Sequence, residues 1–157
     1  MTHIFVYGTL MKGQPNHYRM FDKANGEAEF LASACTTQKY PLVIATQFNV
    51  PFLLNDPGQG HHIQGEIYRV DQRMLKFLDE FEDMYQRTLV QLEVKGTQSR
   101  ADGGEERLEP GNLTEAYGYT KVQYPPEWRS LPTYERYDTS GDHGLRYVTR
   151  EERGSRI

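Results

Sequence analysis

The sequence predicts an α+β fold built on a mainly antiparallel β-sheet or small barrel. Three observations lead there. Short β-rich segments outnumber helical ones; they do not alternate with helices as a doubly wound sheet requires; and 157 residues suffice for one domain with one core. Hydrophobic residues make up 37% of the chain, on the low side for a globular domain, but 12% aromatics and a net charge of −4 argue for folding rather than disorder. A compact core diluted by a polar loop and a polar tail is the expectation, with the single domain spanning 1–157.

The elements follow in order. Residues 3–7 form a β-rich run closed by Gly8, and residues 13–17 read as a turn into a short helix through Met20 and Phe21. Residues 27–32 alternate loosely, as a strand does. Residues 40–44 and 50–54 are apolar but begin near Pro41 and Pro51, which suits edge strands or extended segments. A turn over 55–60 precedes a strand over 62–70. Asp71 is a good N-cap, and the helix formers that follow predict a helix from there through Glu82. Strands are predicted over 87–94 and 115–122. The polar, glycine-containing stretch 97–111 reads as a mobile loop, the chain beyond Pro126 shows no clear period, and 150–157 reads as a solvated tail.

Several function classes are disfavoured. No apolar run reaches the ~18 residues of a membrane span, and no secretory pattern is visible, so a cytoplasmic location without a membrane partner is expected. Cys35 is the single cysteine, which allows no internal disulfide and no cysteine zinc cluster; it reads as a small buried residue. A charge of −4 argues against a nucleic-acid partner. Gly8 to Gly13 lacks the Lys-Ser/Thr of a phosphate loop, and no dinucleotide fingerprint or nucleophile elbow occurs. The five histidines form no metal-ligand spacing, and Gly141-Asp142-His143-Gly144 reads as a turn.

Two segments remain as candidates for chemistry. On a helical wheel with Leu75 at zero, Glu82 falls at about −20°, beside Leu75 and Leu78 on the apolar arc. Asp79, Glu80 and Asp83 fall outside that arc. A carboxyl at such a rim is partly desolvated, which raises its pKa and suits acid–base work near neutral pH; the alternative is a helix-end Glu that curls into solvent. The Tyr7-Gly8-Thr9-Leu10 turn presents successive backbone N–H groups after a strand. These are an anion or oxyanion site if they converge, and an ordinary turn if they do not.

Those segments also carry a resemblance. Val6-Tyr7-Gly8-Thr9-Leu10, followed by Lys12-Gly13-Gln14-Pro15-Asn16-His17, resembles the opening motif of the gamma-glutamylcyclotransferase-like (AIG2-like) family. Phe77-Leu78-Asp79-Glu80-Phe81-Glu82 with Tyr85-Gln86-Arg87 resembles its second motif, which holds the catalytic glutamate. Tyr40-Pro41-Leu42-Val43-Ile44-Ala45, Pro125-Pro126-Glu127-Trp128 and His143-Gly144-Leu145-Arg146-Tyr147 are similar to the amine-specific subgroup of that family. The resemblance implies a small β-barrel with flanking helices and an enzyme that uses neither metal nor cofactor. It implies intramolecular attack of a substrate's α-amine on its γ-carbonyl, giving 5-oxoproline and a free amine. Glu82 would be the catalytic acid/base, Tyr7, Gly8, Thr9 and Leu10 would bind substrate, and Tyr85 and Arg87 would support them. A gamma-glutamylamine such as ε-(γ-glutamyl)lysine is the implied small-molecule substrate, and a monomer is expected. Two other readings stand beside it: a cyclotransferase for gamma-glutamyl α-amino acids, and a binding barrel without turnover.

Overall fold

The structure is a computed structural model that describes residues 1–97 and 108–153. Its centre is a closed five-strand barrel of β1 (Thr2–Val6), β5 (His61–Val70), β2 (Ala28–Tyr40), β6 (Gln86–Thr97) and β7 (Leu113–Thr120), in that spatial order. Every neighbouring pair is antiparallel except β7 and β1, which close the barrel in parallel with Ile4 opposite Tyr117. The barrel of the sequence expectation is therefore present. Closure removes the exposed sheet edges that an open five-strand sheet would carry.

The barrel interior explains where the sequence pattern was weak. β2 runs from Ala28 to Tyr40, well beyond the six residues that alternate visibly, because its inward positions include Ala32, Ala34 and Thr36. These small side chains are buried without adding to an apolar signal. Thr36 is satisfied inside: its hydroxyl donates to the Gln38 carbonyl and accepts from the Ile63 N–H at 2.9 Å. Gly65 on β5 lies so close to β1 that a Cβ there would sit 2.4 Å from the Val6 carbonyl oxygen. Cys35, expected as a buried residue, lies on the outer side of β2 and is only partly buried.

A second sheet, β3 (Leu42–Ala45) with β4 (Val50–Leu53), is the pair of extended segments read near the prolines. All eight residues are buried because the hairpin is covered on both faces. Leu42, Ile44 and Leu53 join the barrel core, whereas Val43, Phe52 and Val50 face a second cluster with Tyr147 and Trp128. Trp128 arrives on the 3-10 helix Pro126–Ser130, a stretch without a hydrophobic period, and its ring lies 4.7 Å from that of Phe52. Lys121 ties this sheet to the barrel, donating its N–H to Leu53 at 2.8 Å and accepting from Asn55 at 3.0 Å.

α1 (Gln72–Phe81) starts where the N-cap signal predicts: the Asp71 carboxylate accepts from the Met74 N–H at 2.9 Å. Met74 and Leu78 are fully buried, a contribution of ~1.5–3 kcal/mol each. The helix ends at Phe81, one residue earlier than expected, so Glu82 is its C-cap and not an interior residue.

The predicted loop over 97–111 divides. Thr97 ends β6, and a turn leads into β7, with Gly111 N–H donating to Val94 at 2.8 Å and Asn112 N–H to Glu109 at 3.0 Å. Residues 98–107 lie outside the described residues. The predicted solvated tail also divides: Arg150–Arg153 form the short helix α2, whose arginines lie against the protein, and 154–157 lie outside the described residues. Among the described residues no helix is long and apolar enough to cross a membrane.

Candidate active site

The site forms where the chain leaves β1. Tyr7 points inward and is nearly fully buried; its hydroxyl donates to the Tyr119 carbonyl at 2.6 Å and accepts from the Leu53 N–H at 3.3 Å. Burial holds this phenol well above its ordinary range, so it serves as a neutral anchor joining β1, β4 and β7. The next three residues turn back sharply, and each carbonyl finds a donor within the protein. Gly8 accepts from Met11 N–H at 3.1 Å, Thr9 from Asn16 N–H at 2.8 Å, and Leu10 from His17 Nδ1 at 2.9 Å. With those carbonyls engaged, no protein acceptor meets the N–H groups of Gly8, Thr9 and Leu10 among the described residues.

Two further contacts stiffen the turn. Gly8 lies against β4, where a Cβ would meet Pro51 Cγ at 3.0 Å. Asn16 is buried, and its side-chain amide donates to Thr9 Oγ1 at 3.0 Å and to the Tyr147 hydroxyl at 3.1 Å. The amide thus joins the turn to the C-terminal segment.

Glu82 faces this turn from the end of α1. Its N–H closes the last helical turn on Leu78 at 2.8 Å, and its carbonyl accepts from Tyr85 N–H at 3.1 Å, which fixes the backbone on both sides. Burial pushes the Glu82 carboxyl up to about 7; nearby Arg150 pulls it down and Asp83 adds to the rise. Tyr85 donates to the Pro51 carbonyl at 2.8 Å and stacks on Phe52 at 5.2 Å. Its phenol is raised by burial and then by the charge of Glu82, so it too stays neutral.

A cleft lies between these parts, lined by Gly8, Thr9 and Leu10 on one side and by Glu82, Tyr85 and Tyr119 on another. The two sequence candidates, which are separated by more than seventy positions, therefore share one cleft. A second recess shares Thr9, Pro51, Glu82 and Tyr85 with the first and extends to Arg150 and Arg153.

The supporting residues sort differently. Tyr85 lines the cleft, whereas Arg87 pairs with Asp79 at 3.4 Å, and Asp79 accepts from the Tyr119 hydroxyl at 2.7 Å. Arg87 thus reaches the cleft through Asp79 and Tyr119. Tyr119 and Arg150 were not singled out from the sequence; Asn16 and Tyr147 entered only within the quoted motifs, and Pro51 only as the proline near the start of an extended segment. His143 does not line the cleft: it closes its own turn, donating from Nε2 to the Asp138 carbonyl at 2.8 Å and accepting from Leu145 N–H at 2.8 Å. Among the described residues no three His, Cys, Asp or Glu side chains gather as metal ligands.

The arrangement pairs a carboxyl that changes charge near neutral pH with main-chain donors that lack acceptors. It can take a proton from one atom and return it to another while the donors hold a polarised oxygen or carboxylate. Comparisons with known proteins identify the family. The family model described as gamma-glutamyl cyclotransferase, AIG2-like, matches residues 4–139. The chain is 53% identical to a zebrafish (Danio rerio) protein named gamma-glutamylaminecyclotransferase C, over 96% of this chain and 95% of that one. It is 47% identical to the human gamma-glutamylaminecyclotransferase, over 98% of this chain and all of that one. The crystal structure of a mouse (Mus musculus) AIG2-like protein superposes with a TM-score of 0.86 at 50% identity, covering 96% of this chain and 97% of that one.

Proposed function

The chain belongs to the AIG2-like gamma-glutamyl cyclotransferase family and is an enzyme, and on that premise we propose that it cleaves gamma-glutamylamines to 5-oxoproline and a free amine. ε-(γ-Glutamyl)lysine is the substrate we put first. The observation that carries the reading is the Glu82 carboxyl, held near pH 7 across one cleft from the Gly8, Thr9 and Leu10 N–H groups.

The proposed steps balance without water. The α-ammonium of the substrate gives a proton to the Glu82 carboxylate. The freed amine nitrogen then attacks the γ-carbonyl carbon and closes a five-membered ring. The bond from that carbon to the departing nitrogen breaks as Glu82 returns its proton to that nitrogen; the ring nitrogen then gives up its second proton through the same carboxylate to the released amine, which departs as an ammonium and leaves the lactam N–H. A carboxyl titrating near 7 suits both roles, because a weaker base would leave the ammonium protonated and a stronger one would return the proton slowly. The main-chain donors suit the glutamyl carboxylate or the carbonyl oxygen as charge develops on it. Nucleophile and carbonyl belong to one molecule, so the cleft gains rate by folding the glutamyl chain into its attacking conformer.

We further propose that the protein works as a cytoplasmic monomer on this small molecule, without a nucleic-acid or membrane partner. The single cysteine and the net charge of −4 support that reading. The test is product analysis by mass spectrometry in H2¹⁸O, with Nε-(γ-glutamyl)lysine and γ-glutamylalanine as substrates. Free lysine with unlabelled 5-oxoproline is expected. Labelled glutamate would identify a hydrolase, reaction of γ-glutamylalanine alone would move the chain to the α-amino-acid subgroup, and no product from either would favour a binding barrel.

A further inference from the structure

The turn that holds Glu82 is tied to the C-terminal segment through one aromatic ring. Arg150, on α2, places its guanidinium 4.1 Å from the Phe81 ring centroid and donates from Nη2 to the Phe81 carbonyl at 2.6 Å. That carbonyl is one of those a helix end leaves without an intrahelical donor, and a cation is the group best suited to it. Arg19 lies 4.8 Å from the same ring; its Nε donates to Asn16 Oδ1 at 3.0 Å and its Nη2 pairs with Glu151 at 3.0 Å. Phe81 therefore sits between Arg19, which holds the Asn16 that bridges to Thr9, and the helix that carries Arg150.

Arg150 and Glu82 also line the same recess. Among the described residues no carboxylate lies within ion-pair distance of Arg150, so its positive charge is not cancelled by a direct partner. We propose that Arg150 is a positioning residue for the cyclisation: it fixes the Phe81–Glu82 turn through the Phe81 carbonyl and sets a positive charge in the recess that Glu82 lines. The proposal rests on the functional reading above.

The other charged and titratable groups around Glu82 do not take this role. Tyr7, Tyr85 and Tyr119 face it from the turn after β1, the start of β6 and β7, and all three phenols are held neutral by burial. Asp83 acts in the opposite sense, raising Glu82 where Arg150 lowers it. Tyr147 is engaged by the Asn16 amide. Arg153 lines the recess too, but its guanidinium lies over Phe48 at 4.8 Å and Tyr147 at 5.3 Å, and its Nε is spent on the Val148 carbonyl at 3.0 Å. Arg150 is left as the cation that both touches the Glu82 turn and opposes the effect of burial.

The test is direct titration of Glu82 by NMR on protein carrying carboxyl-¹³C glutamate, in the parent, Arg150→Met and Arg150→Lys, without substrate. Glu82→Gln assigns the resonance, and Arg150→Gln replaces Arg150→Met if the latter does not fold. Loss of the charge is expected to move the Glu82 titration upward and to lower the ionised fraction at pH 6 about threefold, which is the effect of roughly half a pKa unit. The acid limb of kcat should move with it while KM stays within about twofold, and Arg150→Lys should restore both. A Glu82 titration that stays in place in the neutral variants overturns the proposal, as does a lysine variant displaced as far as they are. The titration needs no substrate, so absence of turnover in the parent would sink the functional reading and leave this result to stand or fall alone.

Discussion

The two walls of the cleft are made by different means. One is main chain: the Gly8-Thr9-Leu10 turn, its carbonyls held by Met11, Asn16 and His17. The other is a side chain: Glu82, whose usefulness depends on how much water and charge surround one carboxyl. A main-chain wall is indifferent to most side-chain chemistry and sensitive to volume at the point of closest approach. A titrating wall tolerates small displacements and is sensitive to a single atom or to pH. Substitutions on the two sides should therefore fail in distinguishable ways.

The largest effect should come from Glu82→Gln. It keeps the shape of the side chain and removes the proton carrier, so kcat should fall by ~10²–10⁴ with KM close to the parent's. Steady-state kinetics together with calorimetric binding of 5-oxoproline would check it. A kcat within tenfold of the parent would remove Glu82 from the mechanism.

The same variant should be more stable than the parent at high pH. The folded-state pKa of Glu82, about 7, lies above its ordinary value of 4.5, so the fold is favoured below 4.5 and loses that advantage as pH rises through 7. The cost of ionising Glu82 in place approaches about 3 kcal/mol above that window. Urea unfolding of Glu82→Gln and the parent should differ most at pH 8 and converge near pH 4. A difference independent of pH would contradict the burial argument.

On the main-chain wall, Gly8→Ala puts a Cβ at 3.0 Å from Pro51 Cγ, so the turn or Pro51 must shift by a few tenths of an ångström. The expected result is a KM raised about tenfold, near 1.4 kcal/mol, with a smaller change in kcat, the reverse of the Glu82→Gln signature. Equal loss in both parameters would mean that the two walls are not separable. The smallest effect belongs to Arg87→Met. Its ion pair with Asp79 is 3.4 Å long and half exposed, so stability should change by no more than ~1 kcal/mol, and kcat by less than about threefold. A larger loss of activity would make the Arg87, Asp79 and Tyr119 chain part of the site proper.

What the sequence revealed follows the same division between local and remote. The N-cap of α1, the strand into Gly8 and the apolar pair around β3 and β4 were legible because neighbouring residues determine them. The full length of β2 was not, because Ala32, Ala34 and Thr36 fill the barrel without an apolar signature. α2 was read as tail because four polar residues carry no period; it is held by cations on Phe81, Phe48 and Tyr147 that no local pattern announces. Glu82 and the Tyr7–Leu10 turn stood out as candidates from residue chemistry, and the family resemblance joined them. Their surroundings stayed hidden because the contacts span the chain: Tyr7 meets Tyr119 across 112 positions, and Asn16 meets Tyr147 across 131.

The central claim is that Glu82 is a half-buried base poised near neutral pH, and the pH dependence of kcat for Nε-(γ-glutamyl)lysine tests it most directly. The account predicts a rate that falls on the acid side with a break near pH 7, as the Glu82 carboxyl takes up its proton. A profile that is flat from about pH 5 to 9, or an acid limb only near the ordinary carboxylate value of 4.5, would contradict it.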